Sequence, residues 1–182
     1  EYTQDAEKVL VMAEKYARQR KQEHVGTEHI LLALLNVNCY AVKLLESLKI
    51  NKDMVRVELS SWMSGNGESE EPIGFSPKAE EVLELARNFA KKDLLSQAST
   101  AHILLGLVAE EECVAARVLA HFDVNWTKLQ NQMHEDFIST KELPEGNKFQ
   151  AQMEEEQAKE KLEKALDALQ GFGRNLNELA PQ

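Results

Sequence analysis

The sequence predicts an all-α protein made of two pseudo-twofold-related four-helix repeats followed by a C-terminal amphipathic helix. Three observations predict it. Residues 2–37 align with residues 75–110 at an offset of 73. Apolar residues inside each copy recur at steps of three and four. Hydroxyl residues stand just before the first and second periodic segments of both copies, where helix starts need acceptors for their orphan amides.

The first helix of each copy is defined by one apolar face: Ala6, Val9, Leu10, Ala13 and Ala17 in copy one, and Ala79, Val82, Leu83, Ala86 and Ala90 in copy two. Thr3 is the expected N-cap of the first, and Ser76 followed by Pro77 that of the second, since proline at the first helical position loses no hydrogen bond and presets φ. The second helices follow Gly26-Thr27 and Ser99-Thr100, whose hydroxyls are expected to cap their own helix starts. There His29 to Leu32 repeats as His102 to Leu105, and the segments are short and very apolar, which predicts the buried centre. Ile30, Leu31, Leu34, Ile103, Leu104 and Leu107 are the expected core.

After a one-residue insertion the offset becomes 74, matching Cys39 with Cys113, Ala41 with Ala115, Leu45 with Leu119 and Asn51 with Asn125. Third helices are expected near Tyr40–Leu48 and Val114–Phe122, and fourth helices near Lys52–Met63 and Trp126–Ile138. Repeat one thus covers 2–63 and repeat two 75–138, joined by a linker at 64–74 with Gly65, Gly67, Pro72 and Gly74 among acids. A second break, 139–149, holds Pro144 and Gly146. Beyond it, within 150–182, Ala158, Leu162, Ala165, Leu166 and Leu169 form one apolar stripe on a charged helix that Gly171 is expected to end.

Composition excludes several function classes. Among 182 residues, 43% are hydrophobic and 29% charged, as in globular and not disordered chains. The net charge is −10, and residues 64–149 carry 15 acids against 8 bases, which opposes binding to nucleic-acid phosphates. The basic cluster at Arg18, Arg20 and Lys21 fits a helix C-terminus. No apolar stretch approaches the ~20 residues a membrane crossing needs. Only Cys39 and Cys113 are present, which reads as a pair of reduced thiols in a reducing compartment and not as a disulfide framework.

Chemistry-bearing patterns are few. No G-x-x-x-x-G-K-[ST] run exists to cradle phosphates, and Gly65-Asn66-Gly67 is followed by acids. His24, Glu28 and His29 have the residue types of a zinc site, but Gly26 and Thr27 put a helix start between the histidines, so no metal is expected. The cysteines occupy equivalent positions beside apolar helix starts, as duplicated packing residues would, and no catalytic residue is assigned.

The duplicated first helices, the block Gly26-Thr27-Glu28-His29-Ile30-Leu31-Leu32 and the block Val114-Ala115-Ala116-Arg117-Val118-Leu119 closely resemble the Clp N-terminal repeat domain over about residues 2–137. Within that family the wording is nearest to ClpC-type AAA+ unfoldases. Residues 172–180 resemble the segment that leads into the first ATPase domain of such proteins, with no ATPase motif following. The resemblance implies a non-catalytic, cofactor-free domain that binds protein substrates and adaptor proteins for an ATP-dependent Clp hexamer feeding the ClpP protease. It also implies a cytoplasmic or plastid-stromal location. The alternative is a free-standing accessory protein that regulates assembly of a Clp protease. In family members that recognise arginine-phosphorylated substrates, the Glu of the G-T-E-H block holds the guanidinium and a hydroxyl at the first helix start assists the phosphate. Residue by residue, that assigns Thr3 and Glu28 as one pocket, provided their helix starts face one another. Copy two keeps Ser76 but has Ala101 in the Glu place.

Overall fold

The computed structural model describes residues 1–63, 71, 72 and 74–179, the last nine by their backbone. Most of the linker read at 64–74 lies outside the described residues. Two compact units result, Glu1–Asn147 and Lys148–Gln182. No described helix is long and apolar enough to cross a membrane by itself.

In the first unit each repeat contributes four helices: α1 (Gln4–Gln19), α2 (Thr27–Asn36), α3 (Tyr40–Ser47) and α4 (Lys52–Trp62), then α5 (Pro77–Lys92), α6 (Thr100–Ala109), α7 (Val114–His121) and α8 (Trp126–Thr140). The amphipathic faces explain the burial. Ala6, Val9, Ala13 and Ala17 are fully buried on α1, as are Ala79, Val82 and Ala86 on α5. Helices α2 and α6 form the centre, where Ile30, Leu31, Leu34, Ile103, Leu104 and Leu107 are all buried. These are the six residues the sequence pattern puts in the core.

Helix starts follow the repeat. The hydroxyls of Thr3 and Ser76 accept from Ala6 N and Ala79 N, each at 3.2 Å, and cap α1 and α5. Asn51 Oδ1 accepts from Asp53 N at 2.9 Å and Asn125 Oδ1 from Lys128 N at 2.9 Å, which gives the matched asparagines their role as caps of α4 and α8. Exits repeat as well: Lys21 and Leu94, then Lys49 and Asp123, take positive φ at equivalent positions after helices.

The threonines of the second helices behave differently from expectation. Thr27 and Thr100 are the first helical residues, so their side chains point away from the amides of their own turn. The N-caps are Gly26 and Ser99. Thr100 Oγ1 instead accepts from Ala41 N of α3 at 3.1 Å, and Thr27 Oγ1 from Ala115 N of α7 at 3.4 Å. Each second helix therefore caps the third helix of the opposite repeat. Isolated parallel bridges, Tyr2 with Ala98 and Phe75 with Val25, cross between repeats in the same way.

The second unit is α9 (Gln150–Leu179) with its lead-in residues. Leu162, Leu166 and Leu169 on its stripe are exposed. The helix does not stop at Gly171 but continues through Gly173 to Leu179. An interior glycine costs only about 1 kcal/mol relative to alanine, too little to end a helix when helix formers precede it and no proline follows directly.

Candidate functional site

Crossed bridges bring three helix starts together at two places related by the repeat. At the first, Thr3 of the α1 cap, Tyr40 opening α3 and Thr100 opening α6 surround the carboxylate of Glu145. Its Oε2 accepts from Thr3 Oγ1 at 2.7 Å and Thr100 N at 3.0 Å; its Oε1 accepts from Tyr40 N at 3.1 Å and from the Thr100 hydroxyl. Helix N-termini carry partial positive charge and unpaired N–H groups, so this nest suits an oxyanion. Burial, then the Asp136 carboxylate that accepts from Tyr40 Oη at 2.7 Å, pushes the phenol well above its usual range and keeps it protonated.

The second place is the repeat-mate of the first. Ser76, Val114 and Thr27 replace Thr3, Tyr40 and Thr100, and they line a cleft of about 450 Å³ together with His24, Glu28, Lys78, Glu112 and Cys113. Here the Ser76 hydroxyl and the Thr27 and Val114 amides have no acceptor among the described residues, while the Thr27 hydroxyl hydrogen-bonds the Cys113 thiol. Glu28 folds back over the start of α2: a Cβ on Gly26 would lie 2.4 Å from its Oε1 and 2.6 Å from its Oε2. Gly26 and Glu28 therefore go together, as Ser99 and Ala101 do at the matching positions.

Sequence reasoning pairs Thr3 with Glu28, and the structure does not bring these two together. Thr3 belongs to the Glu145 nest, beside the start of α6, while Glu28 shares its cleft with Ser76. The reason is the bridge exchange: the residues before α1 pair ahead of α6, and the residues before α5 pair ahead of α2. Lys78, Val114 and Glu145 escape sequence reasoning as site residues. Val114 contributes only a backbone amide, and Glu145 lies in a Pro-Glu-Gly segment that reads as a linker, so the one available signal is the alignment of Val114 with Tyr40.

Charge in the cleft is mixed. Lys78 is the only lysine or arginine among its described lining residues, with Glu112 at 3.3 Å, Glu110 at 3.4 Å and Glu81 at 3.5 Å from its Nζ. The Glu112 carboxylate, more than the others, raises the lysine's pKa, so the ammonium stays charged. His29 is turned away from ligand duty. Its Nδ1 accepts from Gly26 N at 2.9 Å, and burial, the dominant effect, lowers its pKa despite Glu28 nearby, so the imidazole is neutral. His102 repeats the contact with Ser99 N at 3.0 Å. Cys39 and Cys113 precede α3 and α7, and burial raises both thiols, which keeps them poor nucleophiles.

Comparison with known proteins fits this arrangement. The model of the Clp repeat (R) N-terminal domain matches residues 1–72 and 74–177. The chain belongs to this family. It is 37% identical over 133 residues to the negative regulator of genetic competence ClpC/MecB of Bacillus subtilis (strain 168), a match covering 72% of the chain and 16% of that relative. The chain thus corresponds to a small part of the curated relative's length. Among solved structures, the Hsp104 N-terminal domain from Candida albicans superposes with a TM-score of 0.63 at 18% identity, covering 72% of this chain and 88% of that one. The ClpV N-domain in complex with a VipB peptide gives 0.60 at 24% identity, covering 70% and 81%. Both likenesses concern the fold.

Proposed function

We propose that this chain is the substrate- and adaptor-binding N-terminal domain of a ClpC-like ATP-dependent unfoldase that feeds ClpP, and that its cleft between repeats docks a phosphorylated arginine. The domain binds and does not catalyse; neither thiol is activated. One observation carries the reading: Glu28, Ser76, Thr27 and Val114 line one cleft, so a carboxylate, a hydroxyl and the amides of two helix starts share it. A guanidinium donates charge-assisted hydrogen bonds to a carboxylate, and a phosphoryl group accepts from hydroxyls and amides at helix starts. Lys78 adds one cation to the lining, and Glu112 and Glu28 disfavour plain polyanions. The site is thereby composite, with its acid from repeat one and its hydroxyl from repeat two.

Calorimetric titration with phosphoarginine tests this. One site per chain is expected, lost or weakened roughly tenfold or more by Glu28→Gln and by Ser76→Ala, as for removal of a charge-assisted partner, with thermal stability nearly unchanged in the former. Binding indifferent to both substitutions would refute the assignment.

A further inference from the structure

We propose that Glu145 is a tethered occupant of a second oxyanion site, built by Thr3, Tyr40 and Thr100, and that the 141–147 segment holds this site against external ligands. The proposal extends the function above, because of the two nests described it leaves the Glu28 cleft as the accessible one.

Four observations converge on it. A single carboxylate receives two hydroxyls and two backbone amides from three helix starts, the coordination an external oxyanion would receive. The same donor set recurs at Thr27, Ser76 and Val114, where no described carboxylate accepts from it, so the nest belongs to the duplicated repeat and Glu145 to the segment after the second copy. Thr3 and Thr100 are 1% and 0% exposed, and hydroxyls so buried need a partner. Glu145 reaches them in a left-handed conformation, φ 62 and ψ 27, that residues other than glycine rarely adopt.

The chain around Glu145 is built as a clasp. Lys141 leaves α8 at φ 58, Pro144 fixes the approach, and Gly146 turns at φ 70. Asn147 then locks the end: its Nδ2 donates to Gln97 O at 2.7 Å, and its Oδ1 accepts from Gln97 N at 3.2 Å and Ser96 Oγ at 3.3 Å. These bonds fasten the segment beside the start of α6 without using the donors of the nest. Releasing Glu145 therefore frees all four donors while Asn147 stays in place.

Amide chemical shifts of the whole chain test the proposal, with inorganic phosphate and acetate as probes and chloride matching the ionic strength. In the unaltered chain the Tyr40 and Thr100 amides should not titrate. In Glu145→Ala both should shift saturably, and the two probes tell a phosphoryl from a carboxylate preference. Titration of these amides in the unaltered chain, or no response in a folded Glu145→Ala, overturns the proposal. Glu145→Gln keeps the side chain's length and removes its charge; if both variants unfold, the carboxylate is a structural strut and the proposal fails. Phosphoarginine added to the same samples reports on Thr27 and Val114, so failure of the cleft assignment is seen separately from failure of the clasp.

Discussion

Gly106 sets two effects against each other, and their sizes decide the sign of its replacement by alanine. In isolation the change should stabilise α6, because glycine in a helix interior is about 1 kcal/mol worse than alanine. In the fold, a Cβ on Gly106 would lie 2.5 Å from the backbone oxygen of Val82 and 3.3 Å from its Cγ1. The oxygen cannot move alone, since Val82 and its neighbours Ala79 and Ala86 are fully buried on α5. Overpacking of this kind costs about 1–3 kcal/mol, and a backbone clash belongs at the upper end. The net expectation is a loss of about 2 kcal/mol, or a Tm lowered by roughly 4–8 °C in a chain of this size. Urea unfolding followed by circular dichroism would measure it. The matching residue in repeat one is Ala33, fully buried on α2. Ala33→Gly should also destabilise, by ~1–2 kcal/mol from helix propensity and the lost methyl. A Gly106→Ala variant more stable than the parent would refute the close packing of α5 on α6.

Other perturbations concern the helix exits and the buried imidazole. Leu94 is 66% exposed at φ 60, so Leu94→Gly removes left-handed strain without losing burial and should stabilise by ~0.5–1 kcal/mol in thermal unfolding; an unchanged or lowered Tm would count against it. The folded pKa of His29 lies below 6.5, so its contribution to stability is present above pH 6.5 and is lost as pH falls through the folded value. Stability curves of the parent and His29→Gln should accordingly converge as pH drops below 6.5, and a parallel pair of curves would contradict the neutral cap.

Much of the fold is legible because it is written twice. The Ala/Val/Leu faces of α1 and α5 and the apolar α2 and α6 declare themselves by period, and Thr3, Ser76 and Pro77 mark the starts of α1 and α5. Less legible is anything that depends on which repeat a residue meets. Thr27 and Thr100 carry the right chemistry for caps, but only the crossing of the entry segments shows that each serves the other repeat. The same crossing moves Glu28 from Thr3 to Ser76, a pairing no spacing within one repeat could reveal. Glu145 is hidden for another reason: its role rests on a left-handed backbone within Pro-Glu-Gly, and turn chemistry alone gives a carboxylate no destination. At Gly171 the stop signal is real but weak, and the helix runs past it.

The central claim is that the binding site is shared across the repeats, and a double-mutant cycle on phosphoarginine affinity tests it most directly. Glu28→Ala and Ser76→Ala, singly and together, should be coupled by roughly 0.5–3 kcal/mol, as expected for residues holding one ligand. Glu28→Ala and Thr3→Ala should simply add. Coupling of Glu28 to Thr3, with none to Ser76, would contradict the crossed architecture of the site.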